Sequence, residues 1–314
     1  MDIIISHQSA LEYWRVHRAL PSGSVKRMRE SGPPNNPPTT MQVRCLGLEQ
    51  PVHIMIRNPG SRWSSHTMVQ HVFTSKTPAG CFVKVSDKLF VSSPEFCFLQ
   101  LADHLPLIKL IELGYELCGM YSQPATNDPS PSERGFYNRQ PLINAEKLEA
   151  FIASMPGVKG HKKALRALRY ILNDAASPME TKLSILLTLP YQLGGFGLIM
   201  PELNSRIIPS KTIRKSTSKA FYACDLYWPD YALAVEYDSD QYHTGSERIA
   251  DDAKRKNALA SLGVMVITIT KQQIYSPLEL EKTAKLLARN MEKRLLYNKQ
   301  SFALAHHELR KQLF

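Results

Sequence analysis

Apolar and polar positions change their period several times along the chain, and each change marks an element. Residues 8–20 carry a helical spacing and run into "PSGSVKRMRESGPPNNPPTT", a loop rich in Pro, Gly and Asn. Short runs of β-forming residues at 52–57, 68–74, 81–86 and 88–93, divided by Gly, Pro and Ser, predict four strands. A helix opens at Ser93, an N-cap followed by Pro94 at the first helical position, and Pro106 kinks or divides it. The segment 122–141, "SQPATNDPSPSERGFYNRQP", reads as a linker. Helices at 144–154 and 159–175 follow, then one begun by Ser177 and Pro178, and a break at "GGFG". Two strands within 221–238, joined near Pro229–Tyr231, precede a helix ending at Gly263, a β-branched strand at 264–270 and a last long helix. From residue 177 this order predicts an α/β domain with a mixed sheet flanked by helices. The expected organisation is an α+β recognition or regulatory domain at 1–121, the linker, an α/β domain at 142–300 led by basic helices, and a tail at 301–314.

Composition narrows the class. At 314 residues and 43% hydrophobic content the chain can bury the cores of two domains. Its five cysteines are odd in number and never form a CxxC pair, which argues against a disulfide framework or zinc cluster and for a reducing setting. The first residues do not read as a secretory signal, and no apolar run matches a bilayer span. A cytoplasmic protein with no membrane partner is expected.

The net charge of +11 favours a polyanionic partner, nucleic acid above all, although a basic protein need not bind one. "KGHKKALRALRY" sets Lys162, Lys163, Arg166 and Arg169 at helical spacings of three and four. "SKTIRKSTSK" adds Lys211, Arg214 and Lys215 just before an acidic stretch. Either cluster alone suits a solvated face; together, flanking that stretch, they read as phosphate contacts that position a backbone.

The acidic stretch is "FYACDLYWPDYALAVEYDSDQYH". Alternation along a strand places Ala234, Glu236 and Asp238 on one face, and a hairpin turning at 229–232 sets Asp225 opposite Glu236. Carboxylates that close repel unless a cation neutralises them or a proton is retained, and a hard divalent ion, Mg²⁺ or Mn²⁺, resolves the conflict. Acids paired with Lys or Arg at an exposed edge are the alternative. Glu180, three residues after Ser177, either completes a capping box or joins the metal ligands.

"ACDLYWPDYALAVEYDSDQYH" followed by "RIADDAKRKNALASLGVMVITIT" resembles the PD-(D/E)XK nuclease superfamily, in the branch of the very-short-patch-repair (Vsr) endonucleases. The matching positions are Asp225, Glu236, Asp238, His243, Arg248, Asp252, Arg255, Leu259 and Gly263, within residues 177–270. The resemblance implies a restriction-endonuclease-like fold and a metal-dependent DNA endonuclease, in phage defence or DNA repair. Asp225 and Glu236 would hold the metal, with the Tyr237 carbonyl and Glu180 as further ligands. His243 or Asp238 would take or orient a proton. The superfamily's E-x-K lysine is absent, since Asp238 stands in its place, and a Ser replaces the usual following Gly. Lys254, Arg255 or Lys256 is expected to supply the missing positive charge, Arg255 first, and Arg248, Lys254 and Lys256 to grip DNA. The missing lysine keeps open a catalytically silent nuclease fold acting as a DNA-binding or antitoxin-like module. More weakly, "PVHIMIR", His71 and "VSSPEFCFLQLADHLPL" resemble the amino-terminal regions of abortive-infection type antitoxins, which leaves room for a protein partner there.

Overall fold

The computed structural model describes residues 2–16, 32–124, 135–208, 221–238, 246–295 and 299–314. They form two compact units, Met1–Ile171 and Leu172–Phe314, each with a mixed sheet and helices.

The first unit is built on strands β1 (Ile3–Ile5), β2 (Val52–Ile56), β3 (Met68–Val72), β4 (Phe82–Lys84) and β5 (Leu89–Ser92), in spatial order β3-β2-β1-β5-β4. β1 runs parallel to β5 and antiparallel to β2. The short run of three isoleucines was not among the expected strands, yet it is the central one, and all three side chains are buried. Helix α1 (His7–Val16) packs against α3 (Pro94–Ala102), and between them in sequence lies the single turn and a half of α2 (Thr40–Arg44). Ser93 caps α3, its hydroxyl accepting the Phe96 N–H at 3.3 Å, and almost every residue of α3 is buried. Pro106 divides the apolar stretch as expected, and α4 (Leu107–Leu117) starts one residue later. His71 stacks on His7 with ring centroids 3.5 Å apart, and its Nε2 lies 3.0 Å from Nδ1 of His53.

The expected boundary at 122–141 falls inside this unit. Strand β6 (Tyr121–Ser122) pairs antiparallel with β7 (Phe136–Tyr137), so both ends of the Pro- and Ser-rich segment return to one place. Arg139, 3% exposed, donates to the carbonyls of Trp14 and Glu116. The N–H groups of Leu142 and Ile143 both donate to the Leu117 carbonyl. Helices α5 (Ala145–Ala153) and α6 (His161–Leu168) then pack on α3 and α4, so the basic helices belong to the first unit. The linker-like composition therefore does not mark the end of this unit, which runs on to Ile171. The second of these helices also stops well short of residue 175.

In the second unit, α7 (Pro178–Thr188) precedes a sheet of β8 (Glu202–Ile207), β9 (Tyr222–Trp228), β10 (Leu233–Asp238) and β11 (Met265–Thr270), in order β11-β10-β9-β8. β8, β9 and β10 are antiparallel neighbours, while β10 and β11 are parallel and joined by α8 (Ser246–Ser261). Ala258 and Leu259 of α8 pack with Tyr222, Cys224, Ala234 and Val264, and Gly263 at φ +77° turns the chain from helix to strand. Three helices follow: α9 (Lys271–Tyr275), α10 (Pro277–Asn290) and α11 (Lys299–Leu313). The expected tail at 301–314 is therefore a helix, and it packs on α7 and the 3-10 turn Tyr191–Leu193. Gly194 makes that contact possible: a Cβ there would stand 2.3 Å from the Ala305 carbonyl oxygen. Among the described residues no disulfide joins the cysteines, and no helix is long and apolar enough to cross a membrane.

Glu116 ties the first unit together. Its carboxylate, 2% exposed, takes a two-pronged bond from Arg15 at 2.9 and 2.8 Å and the Gln123 N–H at 3.0 Å. Glu116→Ala leaves the Arg15 guanidinium without its counter-ion, which costs about 3 kcal/mol or more. A urea unfolding curve of the variant is expected to show the first unit melting at lower denaturant, with the second unit's transition unmoved.

Candidate active site

The acidic residues meet where two strands part. The β9–β10 ladder runs Leu233↔Trp228, Ala234↔Tyr227 and Val235↔Leu226, and the next step of that register sets Glu236 against Asp225. There the ladder stops. β9 continues with β8 down to Tyr222, and β10 continues with β11 up to Asp238. The Tyr237 N–H, turned away from a strand carbonyl, donates to Oδ2 of Asp225 at 2.7 Å. A backbone donor in a half-buried strand needs an acceptor, and here a side-chain carboxylate supplies it.

Each acid has a different partner. Glu236 Oε1 accepts Nε of Arg255 at 3.0 Å and also its Nη2, which at the same time holds the Ala223 carbonyl. Arg255 therefore ties α8 to both strands of the hairpin. Of the three basic residues expected to turn inward, it is the one that reaches the carboxylates; Lys254 and Lys256 are exposed on α8. Glu180, 6% exposed on α7, accepts the Ala176 N–H at 2.9 Å and Nδ2 of Asn204 at 2.7 Å. Ser177 does cap α7, accepting the Glu180 N–H at 3.1 Å. The capping box is not closed, however, because the Glu180 carboxylate bonds the residue before the cap instead of the cap itself.

Asp225 carries the electrostatic consequence. Burial, then the charge of Glu180 and that of Glu236, push its carboxyl up to about 7, against the opposing pull of the Tyr237 N–H and of Arg255. The Cys224 thiol beside Glu236 is pushed up to about 12, chiefly by burial. The two thus differ in character: Asp225 exchanges its proton near neutrality, while Cys224 stays a thiol.

Asp238 stands exposed at the end of β10, paired in register with Thr270. Arg248 is carried by the first turn of α8. His243, Lys211, Arg214 and Lys215 lie outside the described residues. Lys162, Arg166 and Arg169 are exposed at the end of the first unit, in or beside α6. Lys163 differs from them: its Nζ donates to the carbonyls of Asp103 and Leu105, at 3.2 and 2.9 Å, and so secures the end of α3. That is a structural role in the first unit rather than a free phosphate contact.

Asn204 is the residue the sequence did not single out. The flanking pairs Leu203↔Leu226 and Ser205↔Cys224 place it opposite Asp225, and its φ of +48° breaks the regular strand. Its Nδ2 bridges Glu180 and the Asp174 carbonyl. A lone Asn in "ELNSRI" carries no period or spacing that would mark it. Among the described residues no group of three or more His, Cys, Asp and Glu side chains is arranged to hold a metal ion. No protein-family model, curated protein or solved structure matches this chain.

The raised Asp225 pKa has a testable sign. Its folded value lies above the unfolded one, so the native state holds the extra proton between about 4 and 7 and stability falls as pH rises through that window. Asp225→Asn, which keeps an acceptor for the Tyr237 N–H, is expected to exceed the unmodified protein in stability at pH 8 in EDTA by up to about 4 kcal/mol. At pH 4 the two should converge in chemical denaturation; a constant gap across pH would contradict the assignment.

Proposed function

We propose that the second unit is a restriction-endonuclease-like phosphodiester hydrolase acting on DNA, with Asp225 and Glu236 as its metal-binding pair. The observation that carries the reading is the opening between β9 and β10, where Asp225 faces Glu180 and Glu236 with Arg255 alongside. Asp225 fits a cation best, because its buried carboxyl lies among like charges and has one backbone donor. Glu236 fits if Arg255 yields one of its bonds. Bound there, Mg²⁺ or Mn²⁺ would polarise a phosphate oxygen and lower the pKa of an attacking water.

The chain's own groups have separable tasks. Arg255, beside Glu236, would offset charge that develops on the transferring group. Asp238 or His243 orients the water and receives its proton. Exposed Lys254 and Lys256 flank Arg255 and suit backbone phosphates, as do Lys162, Arg166 and Arg169 of the first unit. This reading places the protein in the cytoplasm, in phage defence or DNA repair.

One observation favours a second reading. Arg255 already gives Glu236 the positive charge a cation would bring, as in a silent nuclease fold that binds DNA without cutting it. Calorimetric titration of Mg²⁺ and Mn²⁺ separates the two: saturable binding lost in Asp225→Asn supports the hydrolase, and no binding supports the silent module.

Plasmid, linear and mismatched DNA incubated with the protein and Mg²⁺, Mn²⁺ or EDTA test the activity. Asp225→Asn is expected to abolish cleavage while DNA binding is kept or strengthened, since a ligand and a negative charge near phosphate are both removed. Arg255→Ala should lower turnover at saturating DNA by about 100-fold. A change in affinity alone would mean that Arg255 only grips the backbone.

A further inference from the structure

Asn204 lies in β8, the strand at one edge of the second unit's sheet, where the ladder with β9 skips a step. Leu203 pairs with Leu226 and Ser205 with Cys224, while Asn204 between them has left-handed backbone, φ +48°. Asp174, whose carbonyl accepts Nδ2 of Asn204 at 2.8 Å, is left-handed as well, φ +64°. Residues other than glycine stay in that region only where their surroundings hold them, and Asn and Asp tolerate it best. The same Nδ2 donates to Oε2 of Glu180 at 2.7 Å. A carbonyl and a carboxylate both only accept, so the amide nitrogen is the atom that faces them and both of its hydrogens are used.

Glu180 is 6% exposed, and its two oxygens have unlike surroundings. Oε2 takes both donors, the Asn204 amide and the Ala176 N–H at 2.9 Å. Among the described residues Oε1 accepts no hydrogen bond, and neither does Oδ1 of Asp225, whose Oδ2 holds the Tyr237 N–H. Neither of these two oxygens is sealed from solvent. Each carboxylate is thus fixed by one oxygen and offers the other. After burial, the charge of Glu180 acts on Asp225 more strongly than that of Glu236 does, as expected of near neighbours. Glu236, by contrast, gives Oε1 to two nitrogens of Arg255.

We propose that Asn204 is a positioning residue for the cation of this site: by taking Oε2 of Glu180 it leaves Oε1 to join Asp225 on the ion. It acts through Glu180 and touches neither the ion nor the substrate. The inference rests on the metal-binding part of the hydrolase reading and deepens it, since Glu180 can ligate without displacing Arg255 from Glu236. Asparagine suits the place because it combines two donors on one atom with tolerance of left-handed backbone. Aspartate shares the tolerance but has no donor, and lysine or arginine would bring a charge that neutralises Glu180. A carboxylate already held in place loses little freedom when the ion binds, and removing such an outer partner typically weakens metal binding by about 10–100-fold.

The test is calorimetric titration of Mn²⁺ into the full-length protein, stripped with EDTA, dialysed and free of DNA. Four proteins are compared: the unmodified chain, Asn204→Gly, Glu180→Gln and the double variant. Asn204→Gly keeps the left-handed backbone without strain and deletes only the amide. It is expected to weaken Mn²⁺ binding about tenfold. In the Glu180→Gln background the same change should alter affinity by less than about twofold, because the carboxylate it positions has lost its charge. Melting curves check that each variant is folded, and Asn204→Ser, too short to bridge both acceptors, replaces Asn204→Gly if that variant is not. Asn204→Gly binding Mn²⁺ as well as the unmodified chain overturns this inference and leaves the hydrolase reading standing. An equal loss in both backgrounds also overturns it, because Asn204 would then serve the fold alone. No Mn²⁺ binding by the unmodified chain overturns this inference and the hydrolase reading together.

Discussion

The hydrogen bond from the Tyr237 N–H to the Asp225 carboxylate is the constraint around which the second unit is arranged. Two strands that pair for three residues and then diverge must leave donors facing a gap, and an unsatisfied donor there costs free energy comparable to a lost hydrogen bond. Asp225 fills the acceptor's place with a side chain. β9 is then free to follow β8 and β10 to follow β11. An apolar residue at 225 would orphan the donor, and so would a lysine. The same group that permits the wedge also lines it.

The acids around that wedge are compensated unequally. A guanidinium neutralises Glu236, amide donors from Ala176 and Asn204 hold Glu180, and Asp225 has a single backbone N–H. Asp225 is consequently the acid whose pKa rises, and the balance depends on both helices that flank the sheet. α7 brings a repelling charge and α8 an attracting one. The proton of Asp225 is thereby coupled to the charges of Glu180, Glu236 and Arg255, because each alters the same local field.

Much of this was legible in residue order. The apolar alternation of "YACDLYW" and "LAVEYD" with Pro229 between them defines a hairpin, and counting from its turn sets Asp225 against Glu236. The three-residue step from Asp252 places Arg255 in register with the helix face that returns over the strands. Boundaries fared worse. "SQPATNDPSPSERG" has the composition of a linker, yet the residues on both sides of it belong to one unit, since Arg139 and Leu142 beyond it are buried against residues before it. Composition reports that a segment need not pack; it says nothing of where its ends are held.

Sequence by itself determined the local elements, the hairpin register and the meeting of acid with acid, because these follow from periods of two and 3.6 and from turn residues a few positions apart. Tertiary structure decided the donors that hold Glu180, and which of the three expected basic residues closes on Glu236. Asn204 reaches Glu180 from 24 positions away, Arg255 reaches Glu236 from 19, and Gly194 takes the ring of His306 from 112. It also turned the expected tail into a helix that packs on α7. Such contacts depend on how whole elements are stacked, and no local period encodes that distance.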